Sequence, residues 1–153
     1  MGSVKIIDGN IFDTTAPYIV HQVNTKGVMG AGLARDIRAD IGEQEFNKYK
    51  NYVLENGTNS LGKVIPTKSL TNPNRIYLNL VGQDGYGRDK QYTDYNALAT
   101  GFQSINNKLA PGTRVALPYG IGAGLGGGDW NTIEVIIRKY LTNLNVELYK
   151  FKG

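Results

Sequence analysis

The sequence predicts an α/β domain, a three-layer α/β/α sandwich around a mixed, largely parallel central sheet. Three observations predict it. Strand-like runs alternate with helix-period segments from end to end, which is the pattern of a sheet covered on both faces. The 153 residues suit one domain with a single core and leave no room for a second, so residues 1–153 read as one unit. No internal repeat, low-complexity linker or heptad array suggests another architecture.

Val4 to Ile7 alternates weakly and runs into the turn cluster Asp8-Gly9-Asn10, giving a first short strand. Tyr18 to Val23 follows Pro17, is rich in β-branched and aromatic residues, and reads as a buried strand with Asn24 at its exit. From Gly32 the period changes. Leu33, Ile37 and Ile41 recur every four residues, and Phe46, Tyr49 and Val53 continue after Gly42, so two consecutive helices broken at Gly42 are predicted. Gly62 to Pro66 and Arg75 to Val81 are strands joined by the Asn/Pro-rich turn at 71–74, the second of them central. Tyr95, Leu98, Phe102, Ile105 and Leu109 mark a helix ended by Pro111 and Gly112. Arg114 to Leu117 is a short strand leading into a long glycine loop. Asp129 then begins a helix with Trp130, Ile133, Ile136, Ile137 and Tyr140 on its apolar side, and Val146 to Phe151 is the last strand. Right-handed crossovers would bring three unusual strand exits, residues 8–12, 24–32 and 118–128, to one rim.

Composition narrows the chemistry. With no cysteine, thiolate nucleophiles, disulfide scaffolds and Cys-based metal sites are excluded, and a single histidine cannot complete a His-rich metal site. No metal and no cofactor are expected. Seventeen Lys and Arg against 13 Asp and Glu give +4 and a pI near 9.2, which favours anionic partners without the density of a DNA-binding stripe. The chain opens on a strand-like stretch, with no charged-then-apolar leader and no apolar run long enough to span a bilayer. A cytoplasmic, monomeric protein without membrane contact is the expectation.

Two loops stand out. Six glycines fall within residues 120–128, and a loop so poor in Cβ atoms lets several main-chain N–H groups converge on one anion. Met29-Gly30-Ala31-Gly32 is a second such loop, and it runs into a helix whose N-terminal amides favour negative charge. Together they could hold a diphosphate. Neither is a Walker A motif, and Gly120-Ile121-Gly122 has Leu125 where a Rossmann fingerprint needs its third glycine.

Four segments carry a resemblance over essentially the whole chain: residues 9–12 (Gly-Asn-Ile-Phe), residues 21–34 (from His21 through Asn24 and Gly30-Ala31-Gly32), residues 61–64, and residues 117–130. They resemble the macro domain, the ADP-ribose-binding module, near the branch of DNA-ADP-ribose glycohydrolase antitoxins, terminal ADP-ribose hydrolases and fungal ADP-ribose 1''-phosphate phosphatases. The resemblance implies the macro-domain fold and these roles. Asn10 stands at the usual adenine-reading Asp, and Ile11 lines the same pocket. Asn24 matches the Asn that bonds the distal ribose. Gly30, Ala31 and Gly32 form one diphosphate loop. Gly122, Ala123, Gly124, Leu125 and Gly126 form the other, entered through Tyr119 and Gly120. Gly126 replaces a frequent aromatic, leaving that end roomier or filled by Tyr86 or Tyr119.

For catalysis the resemblance cuts both ways. Gln83 falls where some hydrolases carry a lysine and Gly126 where the terminal hydrolases carry an aspartate, so lysine-dependent chemistry is not implied. His21 coincides with the histidine of the fungal phosphatases and has the only side chain whose unperturbed pKa suits acid–base work near neutrality. Alternation equally permits a core histidine, between Ile19 and Val23. Asp129 reads as a helix cap, Trp130 as packing, Lys26 as a surface lysine, and residues 84–89 as a flap around Gly85-Tyr86-Gly87. The implied function is binding of ADP-ribose with hydrolysis of a derivative at C1'' of the distal ribose, Asn24 and His21 being the catalytic candidates. The alternative is a reader without turnover. The partners are ADP-ribose or an ADP-ribosylated substrate, with modified protein and nucleic acid both candidates.

Overall fold

Alternate residues of one strand, Tyr18–Asn24 (β2), serve two different cores, which makes this strand the spine of the molecule. Ile19 and Val23 pack under the helix Gly32–Asn56 (α1), while Val20 points to the opposite layer, against Tyr95–Lys108 (α2) and Trp130–Tyr140 (α3). A computed structural model describes residues 2–151. The remaining strands are Ser3–Asp8 (β1), Val64–Lys68 (β3), Ile76–Gln83 (β4), Arg114–Pro118 (β5) and Asn145–Lys150 (β6). They form one six-stranded sheet in the order β1-β6-β5-β2-β4-β3, parallel throughout except for the β3–β4 pair. This is the mixed, mostly parallel sandwich that the alternation of elements predicts.

Most predicted elements lie within two residues of their expected limits. The third strand is displaced to residues 64–68, because Gly62 adopts a turn conformation (φ 85°) ahead of it. β4 lies between β2 and β3, inside the sheet but next to its edge strand. The helix break is present: Gly42 is non-helical (φ 77°, ψ 177°) and divides α1 into two helical segments across a kink. Leu70 closes against that kink, where a Cβ on Gly42 would stand 2.9 Å from its Cδ1. The turn of Ile11–Asp13, a single 3-10 turn, has no counterpart in the periodicity.

The connections place the site. From β2 the chain leaves through α1 toward β3 and β4, whereas from β5 it leaves through α3 toward β6, so neighbouring strands β2 and β5 diverge at their carboxyl ends. A parallel sheet opens a crevice at such a switch point.

Candidate functional site

The crevice is a cavity of about 560 Å³, within the range that holds a nucleotide-sized ligand. One wall is Gly30 to Ala34, the β2 exit and the first turn of α1; the opposite wall is Pro118 to Gly122 and Gly124 to Gly126. His21, Gln22, Val23 and Asn24 come from β2, Gln83 from β4, and Tyr86, Gly87 and Arg88 from the loop beyond it.

Both walls carry uncommitted main-chain donors. The N–H groups of Gly30 through Ala34 have no acceptor among the described residues, and neither do those of Gly120, Gly122, Gly124, Leu125 and Gly126. In the second loop the remaining amides are used in its own turns: Ile121 N–H donates to Pro118 O at 3.0 Å, Ala123 N–H to Gly120 O at 2.8 Å, Gly127 N–H to Gly124 O at 3.0 Å, and Gly128 N–H to Gly122 O at 2.9 Å. The α1 N-terminus is also without a side-chain cap, since residue Ala31 occupies that position. Helix N-termini left open in this way carry partial positive charge and favour an anion.

The two loops are held by different means. Asn24 folds the first one: its Oδ1 accepts from the N–H of Lys26 at 2.9 Å and of Val28 at 3.3 Å, and its Nδ2 donates to Val28 O at 2.8 Å. Tyr49 of α1 clamps the same residue from below, its hydroxyl donating to Asn24 O at 2.7 Å, with Oδ1 3.1 Å away. Burial holds that hydroxyl well above the ordinary tyrosine range. Asn24 therefore builds the loop, and one Nδ2 hydrogen is left for a ligand.

A directed chain of hydrogen bonds fastens the second loop. Gln83 Nε2 donates to Gly85 O at 2.9 Å and its Oε1 accepts from Gln22 Nε2 at 2.7 Å. Gln22 Nε2 also donates to Thr93 Oγ1 at 2.9 Å, and Thr93 Oγ1 donates to Gly122 O at 2.7 Å. Tyr92 and Thr93 complete the strap by donating their N–H groups to Gly126 O at 2.8 and 3.0 Å. The buried Oε1 of Gln22 is left without a partner among the described residues. The sequence marked Gln83 only as a missing lysine, and it missed Gln22 and Thr93. The one signal available was a polar strand residue opposite a loop of glycines.

His21 is 2% exposed, and its Nε2 lies 2.5 Å from Asn79 Oδ1 on the adjacent strand. Burial pushes its pKa down to about 4, against the opposing effect of the Asn79 hydrogen bond, so the ring is neutral near pH 7. The core placement and the cavity placement both hold, because the residue packs in the sheet and still lines the crevice.

Three candidates, Asn10, Ile11 and Ala123, are not part of the cavity wall. Asn10 spends its Oδ1 on the Phe12 N–H at 2.9 Å, capping the 3-10 turn, and that turn buries Ile11 in the core beneath α1. Ala123 faces away from the cavity and packs on the core of the α2 and α3 layer. Asp129 is a cap, its Oδ2 accepting from Thr132 N–H at 3.0 Å and Thr132 Oγ1 at 2.8 Å. Tyr119 forms part of the wall, with Trp130 tilted against it at 4.7 Å and Lys150 Nζ 4.8 Å from its ring. Among the described residues no group of acidic or histidine side chains could hold a metal ion, and no helix is long and apolar enough to cross a membrane.

A family model described as Macro domain matches residues 20–137. Among solved structures, the macrodomain of Thermus aquaticus DarG aligns at 22% identity with a TM-score of 0.74, covering 100% of both chains. The macrodomain of Mycobacterium tuberculosis DarG aligns at 22% identity and a TM-score of 0.76, over 97% of this chain and 98% of that one. Thermosipho africanus DarTG, solved in complex with ADP-ribose, aligns at 19% identity and a TM-score of 0.69, over 98% of this chain and 42% of that one. No curated protein sequence matches significantly.

Proposed function

The chain belongs to the macro domain family, and on that footing we propose that its cavity binds ADP-ribose with the diphosphate between residues 30–34 and 120–126. The observation that carries this reading is the pair of facing walls whose main-chain N–H groups are uncommitted. A diphosphate offers those donors charge-assisted hydrogen bonds from both sides, in a setting where the α1 dipole adds to them. Calorimetric titration with ADP-ribose tests it, with AMP as the comparison ligand. Binding of ADP-ribose at least tenfold tighter than AMP supports a diphosphate clamp, and equal or absent binding refutes it.

For chemistry, we propose hydrolysis of an ADP-ribose derivative at C1'' of the distal ribose. Water attacks C1'', the bond from C1'' to the leaving oxygen breaks, the leaving group departs with its electron pair as phosphate or carboxylate, and the proton shed by the attacking water passes to that leaving group or to solvent. The loop amides hold the diphosphate, the remaining Asn24 Nδ2 hydrogen is available to orient the sugar, and proximity supplies much of the acceleration. Release of phosphate from ADP-ribose 1''-phosphate and of ADP-ribose from an ADP-ribosyl ester is the assay, with Asn24→Ala as control. Equal inertness of both proteins refutes turnover.

A specific observation favours the second reading, a reader that binds without turnover. Among the described residues no Asp, Glu or Lys lines the cavity, Gln83 has both ends of its amide engaged, and His21 is neutral. Tight ADP-ribose binding with no release from either substrate establishes that reading.

A further inference from the structure

Asn79 lies on β4 directly across from His21 and has no exposed surface. Its Nδ2 donates to the Ile65 carbonyl at 2.7 Å and to the Thr67 hydroxyl at 2.9 Å, both on β3. A carbonyl oxygen has no proton to give, so the Ile65 contact fixes which end of the amide is nitrogen. Asn79 Oδ1 must then be the atom facing His21 Nε2, and an acceptor at that place requires the proton to be on Nε2. A neutral imidazole carries a single N–H, so Nδ1 keeps its lone pair. No other described residue bonds the ring, and His21 is part of the cavity lining.

Resting on the ADP-ribose reading above, we infer that Asn79 locks His21 in its Nε2–H tautomer, so that Nδ1 serves the cavity as a neutral acceptor for a ligand hydroxyl. The edge strand β3 is thus the origin of a polarity that passes through Asn79 to the crevice. An anionic phosphoryl oxygen brings only lone pairs to that nitrogen and is not held there, whereas a sugar hydroxyl completes it. His21 discriminates between the sugar and phosphate portions of a ligand, and Asn79 is a positioning residue that acts through it.

The single histidine makes the test direct, because protein labelled with 15N-histidine gives one pair of ring-nitrogen signals. The expected spectrum of the free protein at pH 7 has Nε2 protonated and Nδ1 bare. Saturation with ADP-ribose should move the Nδ1 resonance without protonating it. Movement with ADP-ribose but not with ADP assigns the hydroxyl to the distal ribose, and movement with both assigns it to the adenosine ribose; each supports the inference. A proton on Nδ1 in the free protein overturns it. So does an unmoved ring in a complex whose backbone amides report bound ADP-ribose. Backbone amides that do not move at all overturn the ADP-ribose reading and the hydroxyl contact with it, while the free spectrum still decides the tautomer.

Variants separate positioning from packing. His21→Gln offers an amide nitrogen to Asn79 but nothing at the Nδ1 position, so its ADP-ribose Kd should rise about five- to tenfold, the worth of one neutral hydrogen bond. Asn79→Leu should release the ring into a mixture of tautomers, a signature that lost packing alone does not produce. If Asn79→Leu fails to fold, the wild-type spectrum and the His21→Gln affinity still decide; an unchanged Kd in His21→Gln counts against the contact.

Discussion

The N-termini of α1 and α3 both follow a glycine-rich strand exit, yet only one is closed by its own chain. At α3, Asp129 caps Thr132 through its carboxylate, and at α2, Asp94 accepts from the Ala97 N–H at 3.0 Å in the same manner. At α1 the capping position is Ala31, and the first-turn amides go unmatched. A cap of the Asp or Ser type is worth about 1 kcal/mol, so its omission leaves available stability unused. Departures from local rules concentrate where function competes with them, and here the departure lies in the wall of the cavity.

Closing the open helix should break this contrast with the largest effect on affinity. Ala31→Asp brings a carboxylate to the α1 amides and is expected to weaken ADP-ribose binding about a hundredfold, ~2.7 kcal/mol, through like charge beside the diphosphate. The same change should raise stability by about 1 kcal/mol in chemical denaturation. Loss of both affinity and stability would show that Ala31 is held by packing instead.

Acid should separate the two ends next. His21 beside the α1 wall has its folded pKa lowered to about 4, so between that value and the unfolded value of 6.5 the unfolded chain binds the extra proton. Stability is therefore full above about pH 6.5 and falls as pH drops toward 4, by on the order of 3 kcal/mol from this group. Denaturant unfolding at pH 7 and pH 4.5 checks it, and His21→Gln should flatten the difference. Identical pH slopes in the two proteins would contradict it.

Within the second loop, Gly126 and Gly124 sharpen the contrast further. A Cβ on Gly126 would stand 2.8 Å from Gln22 Nε2 and closer still to Thr93 Oγ1, while a Cβ on Gly124 meets nothing within 4 Å. Gly126→Ala should cost about 1–3 kcal/mol of stability through overpacking of the strap. Gly124→Ala should leave the melting temperature within a degree or two and weaken ADP-ribose binding, because only a ligand can need the space its Cβ takes. The smallest effect belongs to Asp129→Ala, about 1 kcal/mol of stability with the ADP-ribose Kd unchanged.

The regions that were legible in the sequence are those governed by local chemistry. Period changes located β2, α1 and α3, the Gly42 break followed from the interruption of a four-residue repeat, and the two cavity walls followed from glycine density next to helix starts. What escaped was pairing across the sheet. The partners His21 and Asn79 are 58 residues apart in the chain, and Gln22 and Thr93 are 71 apart. Such contacts depend on strand order and register, which periodicity does not encode. Asn10 shows the converse, where position in a family pattern implies a ligand contact and the side chain also makes a local capping bond to the Phe12 N–H.

The contact between Tyr119 and Trp130 gives the molecule a built-in optical gauge. Trp130 is the only tryptophan in the chain, and its ring lies at 49° to a residue that forms part of the cavity wall. Whatever enters alongside Tyr119 changes the surroundings of a lone indole, so emission colour and intensity can follow occupancy in real time without a dye, a label or an engineered reporter.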